Sequence, residues 1–114
     1  MSEARLRRGD VVLSVLAGDY GKPQPTVVVQ SDLFNGSHES IVVCPISSKI
    51  TGLSLFRVPL DASEMTGLEK DSEVMVDKMG AASISRTRNR IGRLSRPQMS
   101  AVDAALRLWL ELPE

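Results

Sequence analysis

Val11-Val12-Leu13-Ser14-Val15-Leu16, then Ala17-Gly18-Asp19-Tyr20-Gly21-Lys22-Pro23-Gln24-Pro25, then Thr26-Val27-Val28-Val29-Gln30 decide the fold class. The first and last runs are short and rich in valine, the pattern of buried strands. Between them, positions 18–25 hold two glycines and two prolines. Regular structure does not survive that density of breakers, so the segment is expected as a loop. The unit is strand, loop, strand, at a length that permits no crossover helix, and it points to antiparallel pairing.

The same grammar continues on both sides. Asp32-Leu33-Phe34-Asn35 reads as one helical turn closed by Asn35-Gly36. Ser40-Ile41-Val42-Val43-Cys44-Pro45-Ile46 reads as a third strand, and its late proline predicts a strand end or a sheet edge. Residues 47–54 are polar and loop-like. Leu55 to Leu60 alternates weakly and is expected as a fourth strand, Glu73 to Asp77 as a fifth, and Asn89 to Leu94 as a short sixth. The first seven residues are polar and basic and are expected to be flexible. At the far end Ser95 is a suitable N-cap with Pro97 in the first turn. Met99, Val102, Leu106, Trp109 and Leu110 then form one apolar stripe ending near Leu112-Pro113. The expected architecture is α+β and mainly β: a small, SH3-like, curled antiparallel sheet or barrel with a C-terminal amphipathic helix, all in one domain over 1–114.

Composition narrows the function classes. The chain has 114 residues, 42% of them apolar, and 14 basic against 14 acidic side chains. One core of ordinary size fits that length. Bulk positive charge for indiscriminate duplex binding is absent, so contact with nucleic acid must use a local patch. No apolar run approaches the roughly 18 residues of a membrane helix, and no signal peptide is evident. Cys44 is the single cysteine, which excludes an intrachain disulfide and suits a reducing cytoplasm. There is no CxxC and only His38 as histidine, so no zinc site is expected; nor is there a phosphate-binding glycine loop, and no cofactor is implied. Cys44 lies in an apolar strand and His38 in a polar turn, which reads as a core thiol and a solvated imidazole rather than a nucleophile and its base.

Three features remain as candidates for chemistry. The Gly/Pro loop carries Asp19, Tyr20, Lys22 and Gln24; its plain alternative is a solvated connection. Pro45-Ile46-Ser47-Ser48-Lys49 places hydroxyls and a lysine after a strand, or is an ordinary polar turn. Asp77 closes a strand just before Lys78, where an aspartate otherwise starts a turn or pairs with a base. Arg86, Arg88, Arg90, Arg93 and Arg96 crowd into eleven residues, as a phosphate-binding face or a solvated one.

Taken in order, Arg8-Gly9-Asp10-Val11-Val12, the Gly/Pro loop into Pro25-Thr26-Val27-Val28-Val29-Gln30-Ser31-Asp32, Val43-Cys44-Pro45-Ile46-Ser47-Ser48, Val58-Pro59-Leu60, Gly67-Leu68, Val74-Met75-Val76-Asp77-Lys78, Arg93-Leu94-Ser95 and the final helix resemble the MazF/PemK family of toxins. The resemblance spans about Arg8 to Leu112. It implies the toxin half of a type II toxin–antitoxin pair: a cytoplasmic homodimer and a metal-independent endoribonuclease, or mRNA interferase. Such an enzyme cuts single-stranded RNA to 2′,3′-cyclic phosphate and 5′-OH ends, and a cognate antitoxin silences it.

Residue by residue, the resemblance implies catalytic roles for Gln24, Ser47 and Asp77, with Asp19, Tyr20, Lys22, Ser48 and Lys49 binding substrate. Two positions depart from the family pattern. Gln24 stands before Pro25 where relatives carry arginine, and Met75 stands where some members place an arginine two residues before the acid. Glutamine donates a hydrogen bond to phosphate but brings no charge. Lys22 or Lys49 is the expected source of that charge. The departures also leave open a non-cleaving toxin on the same fold, such as a gyrase poison of the CcdB type, or a relative that has lost cleavage. An antitoxin segment is expected across the 18–25 loop and the Ser47–Lys49 turn.

Overall fold

Valine-rich runs broken every few residues by glycine, proline and asparagine yield, among the described residues, seven short strands and one α-helix. The computed structural model describes residues 5–16, 21–52 and 55–113, with the side chain of Arg88 outside the description. The strands are β1 (Asp10–Ser14), β2 (Gln24–Val28), β3 (Ser40–Ser47), β4 (Arg57–Leu60), β5 (Ser72–Met75), β6 (Gly80–Ser83) and β7 (Thr87–Arg93); α1 covers Arg96–Leu110. Every pairing is antiparallel, in the spatial order β4-β5-β3-β2-β1-β7, with β6 also on β3. The sheet curls without closing: no ladder joins β4 to β7 among the described residues. No helix among them is long and apolar enough to cross a membrane.

The curl is instead shut by backbone packing. The Arg93 amide on β7 donates to the Met65 carbonyl, 2.8 Å away in the loop after β4. Gly67 has φ +75°, and a Cβ there would collide with the Ile91 carbonyl; a Cβ on Gly92 would collide with the Thr66 backbone. Only glycine allows main chains to approach this closely.

Two of the proline expectations need correction. Pro25 is inside β2, paired with Leu13, rather than in the loop; it is tolerated because it stands at the strand start, before the β3 ladder begins at Thr26. Pro45 marks no edge, for β3 is central in the sheet. Three steps along β3, from Val43 to Ile46, are matched by six along its partner, from Gly80 back to Val74. The surplus is a 3-10 turn over Val76–Lys78 that bulges out between β5 and β6. Pro45 faces that gap in the ladder, where a missing N–H costs nothing. Asp77 therefore sits in the bulge and does not close a strand.

β6 has the sequence Gly-Ala-Ala-Ser and no β-branched residue, so its propensity gives no signal; pairing with β3 makes it a strand. The segment 32–37 forms turns rather than a helical turn, with Asn35 buried and hydrogen-bonded to Gln30 and Asp32. Leu6 packs against the smaller core cluster of Val12, Val28, Ile41, Val43 and Ala82; residues 1–4 lie outside the description.

The helix begins as expected. Ser95 Oγ accepts from the Gln98 amide at 3.2 Å, and Gln98 Oε1 accepts from the Ser95 amide at 2.7 Å. This reciprocal cap satisfies two orphan donors. Val102, Ala105 and Leu106 seal the main core with Val11, Val27, Ile46 and Val74. Arg8 ties the helix down, donating to Asp103 at 2.6 Å and to the Val29 carbonyl at 2.9 Å. The stripe runs past the core: Trp109 remains 47% exposed, its ring centroid 5.2 Å from that of Phe56.

Candidate active site

Strand register decides which of the candidate side chains meet. Thr26 pairs with Pro45, and two residues beyond that pair, on the same face of the sheet, lie Gln24 and Ser47. Ser47 pairs onward with Glu73, and Gln24 pairs with Ser14. One row of the curled sheet thus carries Ser14, Gln24, Ser47 and Glu73. The next row on that face carries Pro45, with Met75 paired to Arg57. Gln24 and Ser47 are half-buried, and Ser47 Oγ is already held by the Lys49 amide at 3.0 Å.

A cleft of about 510 Å³ opens on this face where the Val76–Lys78 bulge parts the ladder, and Gln24, Pro45, Met75, Lys78, Met79 and Gly80 line it. The opposite face has a separate cleft of about 350 Å³, lined by Leu13, Pro25, Ile46, Ser48, Leu68 and Lys70 among others. The structure therefore separates Ser48 from Gln24, because adjacent strand residues point to opposite faces. Lys22 and Lys49 are exposed and line neither cleft. Asp19 and Tyr20 lie outside the described residues.

Asp77 is brought to this region but faces away from the cleft. Its carboxylate takes two hydrogen bonds from Arg57, whose third contact is with Glu73 Oε1 at 3.3 Å. Arg57 is only 9% exposed and Glu73 only 3%. Glu73 Oε1 also accepts from the Thr51 hydroxyl at 2.7 Å and the Thr51 amide at 3.0 Å. The hydrogen bonds from Arg57, backed by its charge, hold Asp77 below the ordinary aspartate value against the opposing effect of burial. For Glu73, burial pushes upward, but the Thr51 bonds and Arg57 outweigh it and the carboxyl is also lowered. The Arg57 guanidinium is stabilised in its charged form, chiefly by its bond to Asp77.

Arg57 was not singled out by the sequence. An arginine inside an otherwise apolar strand, Leu55-Phe56-Arg57-Val58, is a signal of an internal partner, but the acids it meets are 16 and 20 residues away. It stands directly across the ladder from Met75.

The remaining polar candidates line neither cleft. Cys44 is fully buried, and burial pushes its thiol up to about 12, so it is no nucleophile. His38 is exposed, edge-on to Phe34 at 5.9 Å. Arg86, Arg90, Arg93 and Arg96 are exposed on and around β7, with Arg90 3.5 Å from Asp10. Among the described residues no group of three His, Cys, Asp or Glu side chains is placed to hold a metal ion.

Comparison with known proteins places the fold in a family. Residues 7–110 match the family described as PemK-like, MazF-like toxin of type II toxin-antitoxin system. A probable endoribonuclease MazF of Mycolicibacterium smegmatis is 34% identical over 106 residues, covering 92% of this chain and 96% of the relative. Endoribonuclease EndoA of Bacillus subtilis is 29% identical over 94% of this chain and 96% of its own length. The solved toxin MazF-mt6 of Mycobacterium tuberculosis superposes with a TM-score of 0.80 over 92% of this chain and 99% of its own, at 23% identity. A mycobacterial endoribonuclease solved in complex with its cognate antitoxin also gives 0.80, over 96% of this chain and 98% of its own, at 18% identity. From its seventh residue to the end of its helix, the chain belongs to the PemK-like, MazF-like toxin family of type II toxin–antitoxin systems.

Proposed function

We propose that this chain is the toxin of a type II toxin–antitoxin pair and cuts single-stranded RNA as a metal-independent endoribonuclease. The ribose 2′-oxygen attacks the adjacent phosphorus while the P–O5′ bond breaks. The 2′ proton leaves to a base and the 5′ oxygen gains one, giving a 2′,3′-cyclic phosphate and a 5′-OH. The observation that carries this reading is the placement of Gln24 and Ser47 on one face beside the cleft. Both present hydrogen-bonding groups of the kind a phosphodiester accepts. Asp77, kept ionised and fixed by Arg57, acts as a positioning residue for the bulge and as an electrostatic partner of the base. Lys22 and Lys49 meet flanking phosphates, and Asp19 and Tyr20 complete the substrate contacts, while Ser48, on the opposite face, takes no part. The relatives compared carry ribonuclease names, which favours cleavage over the gyrase-poison alternative.

The working form is a cytoplasmic homodimer controlled by a cognate antitoxin laid over this face. Support for the dimer comes from exposed Leu108, Trp109, Leu110 and Leu112 at the helix end, more apolar surface in one place than a monomer ordinarily leaves in water. Incubating the purified protein with a long unstructured RNA in EDTA and mapping the new 5′ ends tests the activity. Recurrent cuts with 5′-OH and cyclic-phosphate termini are expected; intact RNA rejects the reading. A scattering mass near 12.4 kDa at micromolar concentration rejects the dimer.

A further inference from the structure

We infer that Lys78 is the cation that contacts the scissile phosphate, an assignment that rests on the ribonuclease reading above. Cleavage through a phosphorane-like transition state gathers negative charge on the non-bridging oxygens, and a site needs a positive group there. Gln24 and Met75, which line the cleft, are uncharged and supply none. Arg57 is fully engaged by Asp77 and Glu73 and buried beneath the site. Among the described residues lining the 510 Å³ cleft, Lys78 alone bears a charge.

Its placement is built rather than incidental. The bulge that carries it is fixed by the Val76 amide donating to the Phe56 carbonyl at 3.2 Å and the Met79 amide donating to the Val76 carbonyl at 3.3 Å. The preceding residue is clamped by Arg57 at 2.7 and 3.0 Å. Asp77 thus turns inward to its arginine while the next side chain, exposed, is delivered to the cleft. Gln24 reaches the same cleft from β2. A phosphodiester lying there takes a hydrogen bond from the Gln24 amide on one side and the Lys78 ammonium on the other. An ammonium is a point charge on a long stem, suited to following charge that develops on either oxygen.

The test has two arms. In the first, single-turnover cleavage of a long unstructured RNA in EDTA is compared for wild type, Lys78→Met, Lys78→Arg and, as a control on the opposite face, Lys70→Met. Loss of about 100- to 1000-fold is expected for Lys78→Met, the usual effect of removing one transition-state donor. Recovery to within about tenfold is expected for Lys78→Arg, since charge is restored with altered geometry. Lys70→Met is expected to match wild type. In the second arm, binding of mixed-sequence single-stranded DNA, which lacks the attacking 2′-OH, is measured against salt. Losing one phosphate contact lowers the slope of log K on log salt by about 0.7 for Lys78→Met. Wild-type-like cleavage by a folded Lys78→Met variant overturns the assignment and leaves the ribonuclease reading intact. RNA left uncut by wild type rejects the ribonuclease reading itself. The salt slope then decides the phosphate contact alone: an unchanged slope, or no DNA binding by wild type, overturns it.

Discussion

Arg57 holds Asp77 through two parallel hydrogen bonds, Nε to Oδ1 at 2.7 Å and Nη2 to Oδ2 at 3.0 Å. The pair links β4 to the bulge after β5, and through Glu73 it reaches Thr51 in the loop after β3. Three segments that rim the candidate site are therefore fastened to one guanidinium. Truncating it strands two carboxylates in a nearly dry setting. Arg57→Ala is expected to cost about 3 to 5 kcal/mol, read from urea unfolding. The triple replacement Arg57→Met, Glu73→Gln, Asp77→Asn recovers most of that loss, because no charge is then left unpaired. A cost below about 1 kcal/mol for Arg57→Ala would mean that the network contributes as little as an exposed ion pair.

The same network predicts the acid limb of stability. Asp77 and Glu73 both have folded values below the ordinary carboxylate range of about 4. On acidification the unfolded chain takes up these protons first, so their contribution is complete above about pH 5 and is lost as pH falls through the lower, folded values. Urea midpoints should be flat from neutrality to about pH 5 and drop below about pH 4. In Arg57→Ala, which removes the chief cause of the lowering at Asp77 and part of it at Glu73, the drop becomes shallower. An equal acid slope in the two proteins would assign the effect to other carboxylates.

Lys22 and Lys49 lie outside the cleft, so their neutralisation should weaken RNA binding rather than chemistry. The Lys22→Met, Lys49→Met double variant is expected to raise KM several-fold with kcat changed by less than about threefold. A large fall in kcat at unchanged KM would place one of these ammonium groups on the reacting phosphate.

Where the loop after β4 seats on the opposite edge strand, Gly67 lies against Ile91 and Gly92 against Thr66, and neither position has room for a methyl group. Gly67→Ala, at φ +75°, is expected to lower stability by about 2 kcal/mol or more, visible as a fall in Tm. Gly21→Ala is a useful comparison: its φ is also positive, +83°, but a Cβ there meets nothing within 4 Å. It pays only the backbone strain. Equal effects from the two variants would show that crowding at the seam contributes nothing.

The fold was legible where the code is local. Valine runs gave the strands, the Ser95–Gln98 cap and apolar stripe gave the helix, and breaker spacing gave antiparallel pairing. Elements decided by a partner were not legible. β6 is a strand only because β3 offers an edge, and Pro45 is central only because its neighbour bulges. The site was half legible for the same reason. Gln24, Ser47 and Asp77 were singled out as candidates through the family pattern, and register brings the first two to one face. Ser48 falls on the other face because alternation moves it there. Arg57 escaped notice because its partners lie on other strands, and no periodicity in sequence marks an ion pair across a ladder.

The bulge after β5 works as a vernier between two scales that are three residues out of step. Sliding β5 along β3 by one position would turn Val74 outward and Glu73 into the apolar core; sliding β6 would do the same to Ala82. With opposite costs on either side, neither half-ladder can creep, and the offset locks itself. Residues within the offset are spared that constraint, since they pair with nothing on β3. Val76 and Asp77 are still held there by the core and by Arg57, but exposed Lys78 can be exchanged for new chemistry while the pairing on either side keeps count.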